Sequence, residues 1–157
     1  MKCKRLSMLF GITVGIIFFA GFPNDARGAD WVHYANSAIG DMYFYDKDSI
    51  HNISGGVIRV WTRTVFSDAG RAEVIRKYRE RGISANRYEL LREEKSLCLL
   101  NCKDESYTLT EGIEYAVDGE TLTSWKREGD WLVVVPDSFI ESLMKIVCAE
   151  KAKQKEK

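Results

Sequence analysis

The stretch that most constrains this chain is Trp131 to Cys148, WLVVVPDSFIESLMKIVC. Pro136 stops an extended apolar run, since proline brings no backbone N–H to a ladder and biases the residue before it away from helix. Ser138 then opens a helix, and Glu141 follows three residues on, the spacing of a capping box. Ile140, Leu143, Met144 and Val147 recur at helical spacing and form one apolar stripe. Cys148 lies one turn past Met144, on the edge of that stripe. Such a helix is suited to docking on a sheet and being stapled there by a disulfide. The same pattern also allows a core helix whose cysteine is buried and unpaired.

The N-terminus reads as a targeting segment. Lys2, Lys4 and Arg5 precede a charge-free apolar run from Leu6 to Phe22, Pro23 and Asn24 break it, and Ala26-Arg27-Gly28 offers small residues for a signal peptidase. Cleavage is expected before or near Ala29. The rival reading is an uncleaved anchor, but the run is short for a membrane span and a break and a cleavage site follow it, so no span is expected in the mature chain. No cysteine follows the run in the position a bacterial lipid anchor uses. The expected layout is a signal peptide over 1–28, a single domain over 29–150 and a disordered charged tail over 151–157, because 157 residues suit one domain.

Lys plus Arg (23) equals Asp plus Glu (23), and loss of residues 1–28 leaves a net charge of −3. That balance gives no reason to expect nucleic acid as a partner. An exported chain meets oxidising conditions, so Cys98, Cys102 and Cys148 become disulfide candidates. Three is odd, and one pair with one free thiol is the simplest outcome.

The middle of the chain reads mostly as strands. Trp31 to Tyr34 and Met42 to Tyr45 are β-prone and flank a turn at Asn36, Ser37 and Gly40. Asp46 and Asp48 resemble the start of a calcium loop, but Ile50 occupies the third ligand position and no glycine follows, so a turn is expected. Ser54-Gly55-Gly56 turns the chain into Val57–Phe66, where Ile58, Val60, Thr62, Thr64 and Phe66 share the face to be buried and Arg59, Trp61 and Arg63 the other. Ser67 and Asp68 can cap a helix from Ala69 to Arg81, closed by Gly82. Val74, Ile75 and Tyr78 give it an apolar edge, and Arg76, Lys77, Arg79 and Arg81 make a basic patch, either a solvated face or a surface for an acidic partner. Leu91–Cys102, Ser106–Tyr115 and Glu120–Trp125 follow as a meander, with Cys98, Leu100 and Cys102 on one face, Tyr107, Leu109, Glu111, Ile113 and Tyr115 on one face of the next strand, and a hairpin signal at Asp118-Gly119.

No motif for catalysis stands out. The two histidines, His33 and His51, have no partner at metal-ligand spacing. No nucleophile elbow, phosphate loop or zinc-protease helix occurs, and Cys98 and Cys102 are too far apart for a C-x-x-C redox pair. No cofactor and no metal site are expected.

Several pieces, taken in order, resemble the surface-adhesin protein E family of small exported bacterial proteins. They are Trp31-Val32 after the signal, Tyr45-Asp46-Lys47-Asp48-Ser49-Ile50, Val60-Trp61, Asn101-Cys102-Lys103 before Tyr107, Asp118-Gly119, and Trp131 through Pro136-Asp137-Ser138, Glu141, Leu143 and Cys148. The resemblance spans about Trp31 to Cys148. It implies an α+β fold, an antiparallel sheet with a C-terminal helix packed on one face and tied by one disulfide, Cys102 to Cys148. Cys98 is then the odd thiol. The chain departs from the family's namesake, an outer-membrane lipoprotein that binds host matrix and plasma proteins, in lacking the lipidation cysteine and in carrying the arginine-rich helix, inserted after the third expected strand.

The expected function is that of a non-catalytic exported envelope protein, an adhesin-like binding module acting on a protein partner through the Arg59, Trp61 and Arg63 face or the basic helix. The alternative is a soluble periplasmic protein of structural or chaperone-like role. A deep polar pocket holding a perturbed acid or histidine would instead raise the case for an enzyme.

Overall fold

The computed structural model of the chain describes residues 28–155, with side chains to residue 150. The expected signal segment therefore lies outside the described residues except for Gly28.

Alternation in the middle of the chain becomes one antiparallel sheet. Its strands are β1 (Trp31–Asn36), β2 (Met42–Asp46), β3 (His51–Ser54), β4 (Val57–Val65), β5 (Leu91–Asn101), β6 (Ser106–Ala116), β7 (Thr121–Lys126) and β8 (Leu132–Val133). The lateral order is β1-β2-β4-β5-β6-β7. β3 extends the line of β2 along β4, and β8 shares the outer edge of β6 with β7. Helix α1 (Asp68–Glu80) follows β4, and α2 (Phe139–Lys155) closes the chain. The short edge strand β3, which no run of β-formers announces, puts α1 after the fourth strand in the chain rather than the third.

The core lies between α2 and one sheet face. Ile58, Val60, Cys98, Leu100, Leu143 and Val147 are 0–1% exposed and meet Tyr45 and Met144 in one cluster. The sheet supplies one row by alternation along β4 and β5, and α2 supplies the other from the stripe Leu143, Met144 and Val147. Ser138 accepts a hydrogen bond from the Glu141 amide (3.2 Å), as a capping residue should. The Glu141 carboxylate reaches back one residue further than a standard box, to the Asp137 amide (2.9 Å). Cys102 and Cys148 form a disulfide, with their Cα atoms 6.0 Å apart, which ties α2 to the end of β5. Among the described residues Cys98 is the free thiol, buried in the core.

The backbone of α2 runs on to Lys155, into the segment expected to be disordered. Ala, Glu, Lys and Gln are good helix formers, so charge alone does not end a helix there.

A register shift on β6 changes which of its residues share a face. Leu97 pairs with Glu111 but Cys98 pairs with Leu109, so Thr110 is a bulge. Tyr107 and Leu109 thus face the core beside Leu100 and Cys98, whereas Glu111, Ile113 and Tyr115 point to the opposite face. Gly112 and Glu114 take the inward side in their place. This corrects the single face expected for the five residues.

Candidate functional site

Both helices lie on the same side of the sheet. α2 covers the end of β5 that carries Leu100, and α1 stands over the other end. Ser67 caps α1 by accepting from the Gly70 amide (2.9 Å). Its own amide donates to Asp41 (2.8 Å), and its hydroxyl donates to the Ile39 carbonyl (2.7 Å). These bonds dock the start of α1 on the β1–β2 turn. Gly82, in a left-handed conformation (φ +68°), then ends the helix and sends residues 83–90 back over the sheet.

Between α1 with its return loop and the sheet opens a cleft of about 650 Å³. Phe66, Tyr78, Leu109, Leu122 and Trp125 give it apolar walls. Trp125 lies across Gly112, where a Cβ would sit 2.3 Å from the indole, so the missing side chain makes the room that the indole occupies. Two carboxylates enter from the sheet side, Glu94 and Glu114, which are directly paired across β5 and β6. Lys77, Arg81 and Arg127 also line it, and the Arg127 guanidinium lies 4.7 Å from the Trp125 ring centroid.

Glu114 is 5% exposed and is held by two phenols. Tyr78 donates to Oε1 (3.0 Å) and Tyr88 to Oε2. Burial pushes the ionisation of both phenols above the usual tyrosine range, which keeps them protonated as donors. Glu94 accepts one hydrogen bond, from Ser96 Oγ (2.6 Å). Burial first, and the Glu114 charge second among the effects that oppose ionisation, raise the Glu94 carboxyl above the ordinary carboxylate range. None of this was foreseen from the sequence. Of the character attached above to an enzyme the cleft has the perturbed acid, but it is open and its walls are largely apolar, and no histidine or cysteine is among its lining residues.

The residues singled out in the sequence are distributed differently. On the basic helix, Arg76 is gripped by Glu73 (2.5 Å) and Glu80 (2.5 Å), and Lys77 lies 3.5 Å from Glu73. The Arg76 hydrogen bond holds the Glu73 carboxyl down to about 2. Arg79 and Arg81 are exposed and enter no ion pair among the described residues. The patch is therefore partly neutralised by acids one turn away, and Lys77 and Arg81 are shared with the cleft. His33 bonds Asn36 (2.9 Å) and His51 bonds the Ser49 carbonyl (2.9 Å), both locally and exposed. Asp46 accepts from the amides of Asp30 (3.0 Å) and Asp48 (3.1 Å), a structural use of the carboxylate that resembled a calcium ligand.

The opposite sheet face is not covered by either helix. There Arg63 pairs with Glu93 and lies 6.0 Å and 5.7 Å from the ring centroids of Trp31 and Phe44. Lys95 stands 4.8 Å from the Tyr115 ring centroid. Arg59, Trp61, Leu97 and Ile113 share this face by register. No described helix is long and apolar enough to cross a membrane.

The fold is similar to that of crystallised protein E from non-typeable Haemophilus influenzae, at 15% identity and a TM-score of 0.51 over 83% of this chain and 82% of that one. A second structure of Haemophilus influenzae protein E gives 18% identity and 0.51 over 83% and 92%. No curated protein matches the chain. The sequence profile described as Surface-adhesin protein E matches residues 31–149, which cover the whole sheet and the apolar half of α2. The chain belongs to the surface-adhesin protein E family.

Proposed function

We propose that this protein is a non-catalytic binding module of the bacterial envelope that acts by protein–protein contact. The family match over residues 31–149 carries the reading. The uncovered sheet face supports it physically. Its aromatic residues and guanidinium groups are held in place by cross-strand pairs, and such side chains dominate protein interfaces. Arg79 and Arg81 add a smaller cationic surface for an acidic partner. The partner is a protein of the envelope or of an extracellular-matrix type.

The test uses mature protein, with immobilised matrix proteins and solubilised envelope proteins as targets. Trp61→Ala on the open face should weaken capture of the cognate target by about tenfold or more, as expected of an interface aromatic. Reversal of Arg79 and Arg81 to Glu should lower only the salt-sensitive part of binding, since exposed charges are screened within about 10 Å at 0.1 M salt. Protease shaving of intact cells separates the alternative. Protection of the protein until the outer membrane is opened would favour a soluble periplasmic role over surface display.

A further inference from the structure

We propose that the cleft between α1 and the sheet binds an organic cation, a primary ammonium or guanidinium on an apolar stem, with Glu94 as the receiving carboxylate. The reading goes beyond the protein-contact role and uses the opposite side of the sheet.

The two carboxylates of the cleft lack the direct ion pairs that other glutamates of the protein make. Glu73, Glu80, Glu93, Glu111, Glu120 and Glu141 each have a basic side chain within ion-pair distance. Glu94 and Glu114 have none among the described residues, although Glu114 is buried, Glu94 is half-buried, and they stand side by side on paired strands. Two adjacent carboxylates, one buried and one half-buried, favour a cation or a proton between them. Each Glu114 oxygen already has a tyrosine donor. Glu94 differs: Ser96 takes Oε1, and Oε2 has no hydrogen-bond partner among the described residues. The acceptor left open thus belongs to a residue that lines a cavity of about 650 Å³, a volume in the range of small-ligand sites.

The walls fix the rest of the ligand. Phe66, Leu109, Leu122 and Trp125 suit an aliphatic stem. Arg127 already lies over the Trp125 ring, so the indole serves the stem as a wall and the cation is left to Glu94. Lys77, Arg81 and Arg127 disfavour a second positive charge. They favour a ligand whose far end is neutral or anionic. The chemistry is that of a lysine-like group, supplied either by a free amino acid or amine or by a side chain on a partner protein.

Titration followed by the Trp125 indole NMR signal tests this, with ε-aminocaproate, caproate, cadaverine and Nα-acetyl-lysine amide as probes. ε-Aminocaproate should shift the signal saturably, caproate should bind at least about tenfold more weakly, and cadaverine should fall between them, as expected if one charge-assisted contact sets the order. Glu94→Gln, which keeps shape and removes charge, should lose a similar factor. Its own spectrum shows whether it is folded. Nα-Acetyl-lysine amide binding as well as ε-aminocaproate assigns the site to a side chain. Failure of that probe alone assigns it to a free small molecule. Equal binding of caproate, unchanged binding by Glu94→Gln, or no saturable shift with any amine overturns the proposal. Any of those results leaves the reading of the open sheet face standing.

Discussion

A carboxylate partly withdrawn from water without an ion-pair partner loses more hydration than one hydrogen bond returns, and half-buried Glu94 is in that position. Its folded ionisation is raised above the ordinary glutamate value of 4.5. Below that value Glu94 is neutral in both states and costs nothing. As pH rises, the unfolded chain gives up its proton first, so ionisation favours unfolding and stability falls. Glu114, Tyr78, Tyr88, Lys77, Arg81 and Arg127 surround the group, and of these Glu114 adds to the penalty while Arg127 reduces it. Glu94→Gln should therefore melt higher than the parent at pH 7, and the gain should vanish toward pH 4. Thermal melts of both proteins across that range check it, and a gain independent of pH would assign the effect to packing. Nothing near Glu94 in the sequence marks it. It is one polar position in an alternating strand, and its significance comes from Glu114 across the ladder and from two tyrosines 36 and 26 residues upstream of Glu114. Pairings at that separation leave no local signal.

The elements divide by whether local chemistry or a long-range partner sets them. The ends of α1 were readable, since Ser67 and Gly82 do at its termini what such residues do in isolated helices. Its charge was legible only in part: the arginines stand out in the sequence, whereas Glu73 and Glu80 matter because the helix repeat brings them to Arg76. The bulge at Thr110 was not readable, since alternation continues through it in the sequence while the faces exchange in the ladder. Gly70 tests the docking of α1. A Cβ there would lie 1.9 Å from Asp41 Oδ1, in a spot where Asp41 is 6% exposed and also receives the Ser67 amide. Alanine should raise intrinsic helix stability by about 1 kcal/mol. The clash should cost about 1–3 kcal/mol and displace the Asp41 bond, so Gly70→Ala should be destabilising on balance. In the Asp41→Ala background the clash is gone, and the same substitution should become neutral or stabilising. Urea melts of the four proteins in this cycle give the coupling, and simple additivity would show that α1 docks by other contacts.

At the scale of the molecule, the described residues form an eight-stranded sheet with one thin hydrophobic layer between it and α2, and the disulfide sits at the edge of that layer. This part was the most legible, because proline, cap, apolar stripe and cysteine all lie within eighteen residues and agree with one another. The helix touches the sheet only after a chain detour, so the link between Cys102 and Cys148 closes a loop of sequence separation 46. In the chain-entropy account such a loop is worth about 4 kcal/mol, against a total of about 5–15 kcal/mol for a domain. Cys102→Ser and Cys148→Ser should each lower Tm by roughly 15 °C in a domain of this size, and the double variant should add little, because the same bond is missing in all three. Cys98 is 0% exposed in the middle of the layer, and burial pushes its thiol up to about 12. It should resist alkylation at pH 8 until the protein is unfolded, and Cys98→Ser should cost only about 1–3 kcal/mol, the burial of a hydroxyl in place of a small hydrophobe. Calorimetry of the four variants under non-reducing conditions separates the two roles. If Cys98→Ser proves as damaging as loss of the bridge, the packing of the layer holds α2 to the sheet; if the order is as given, the covalent link does.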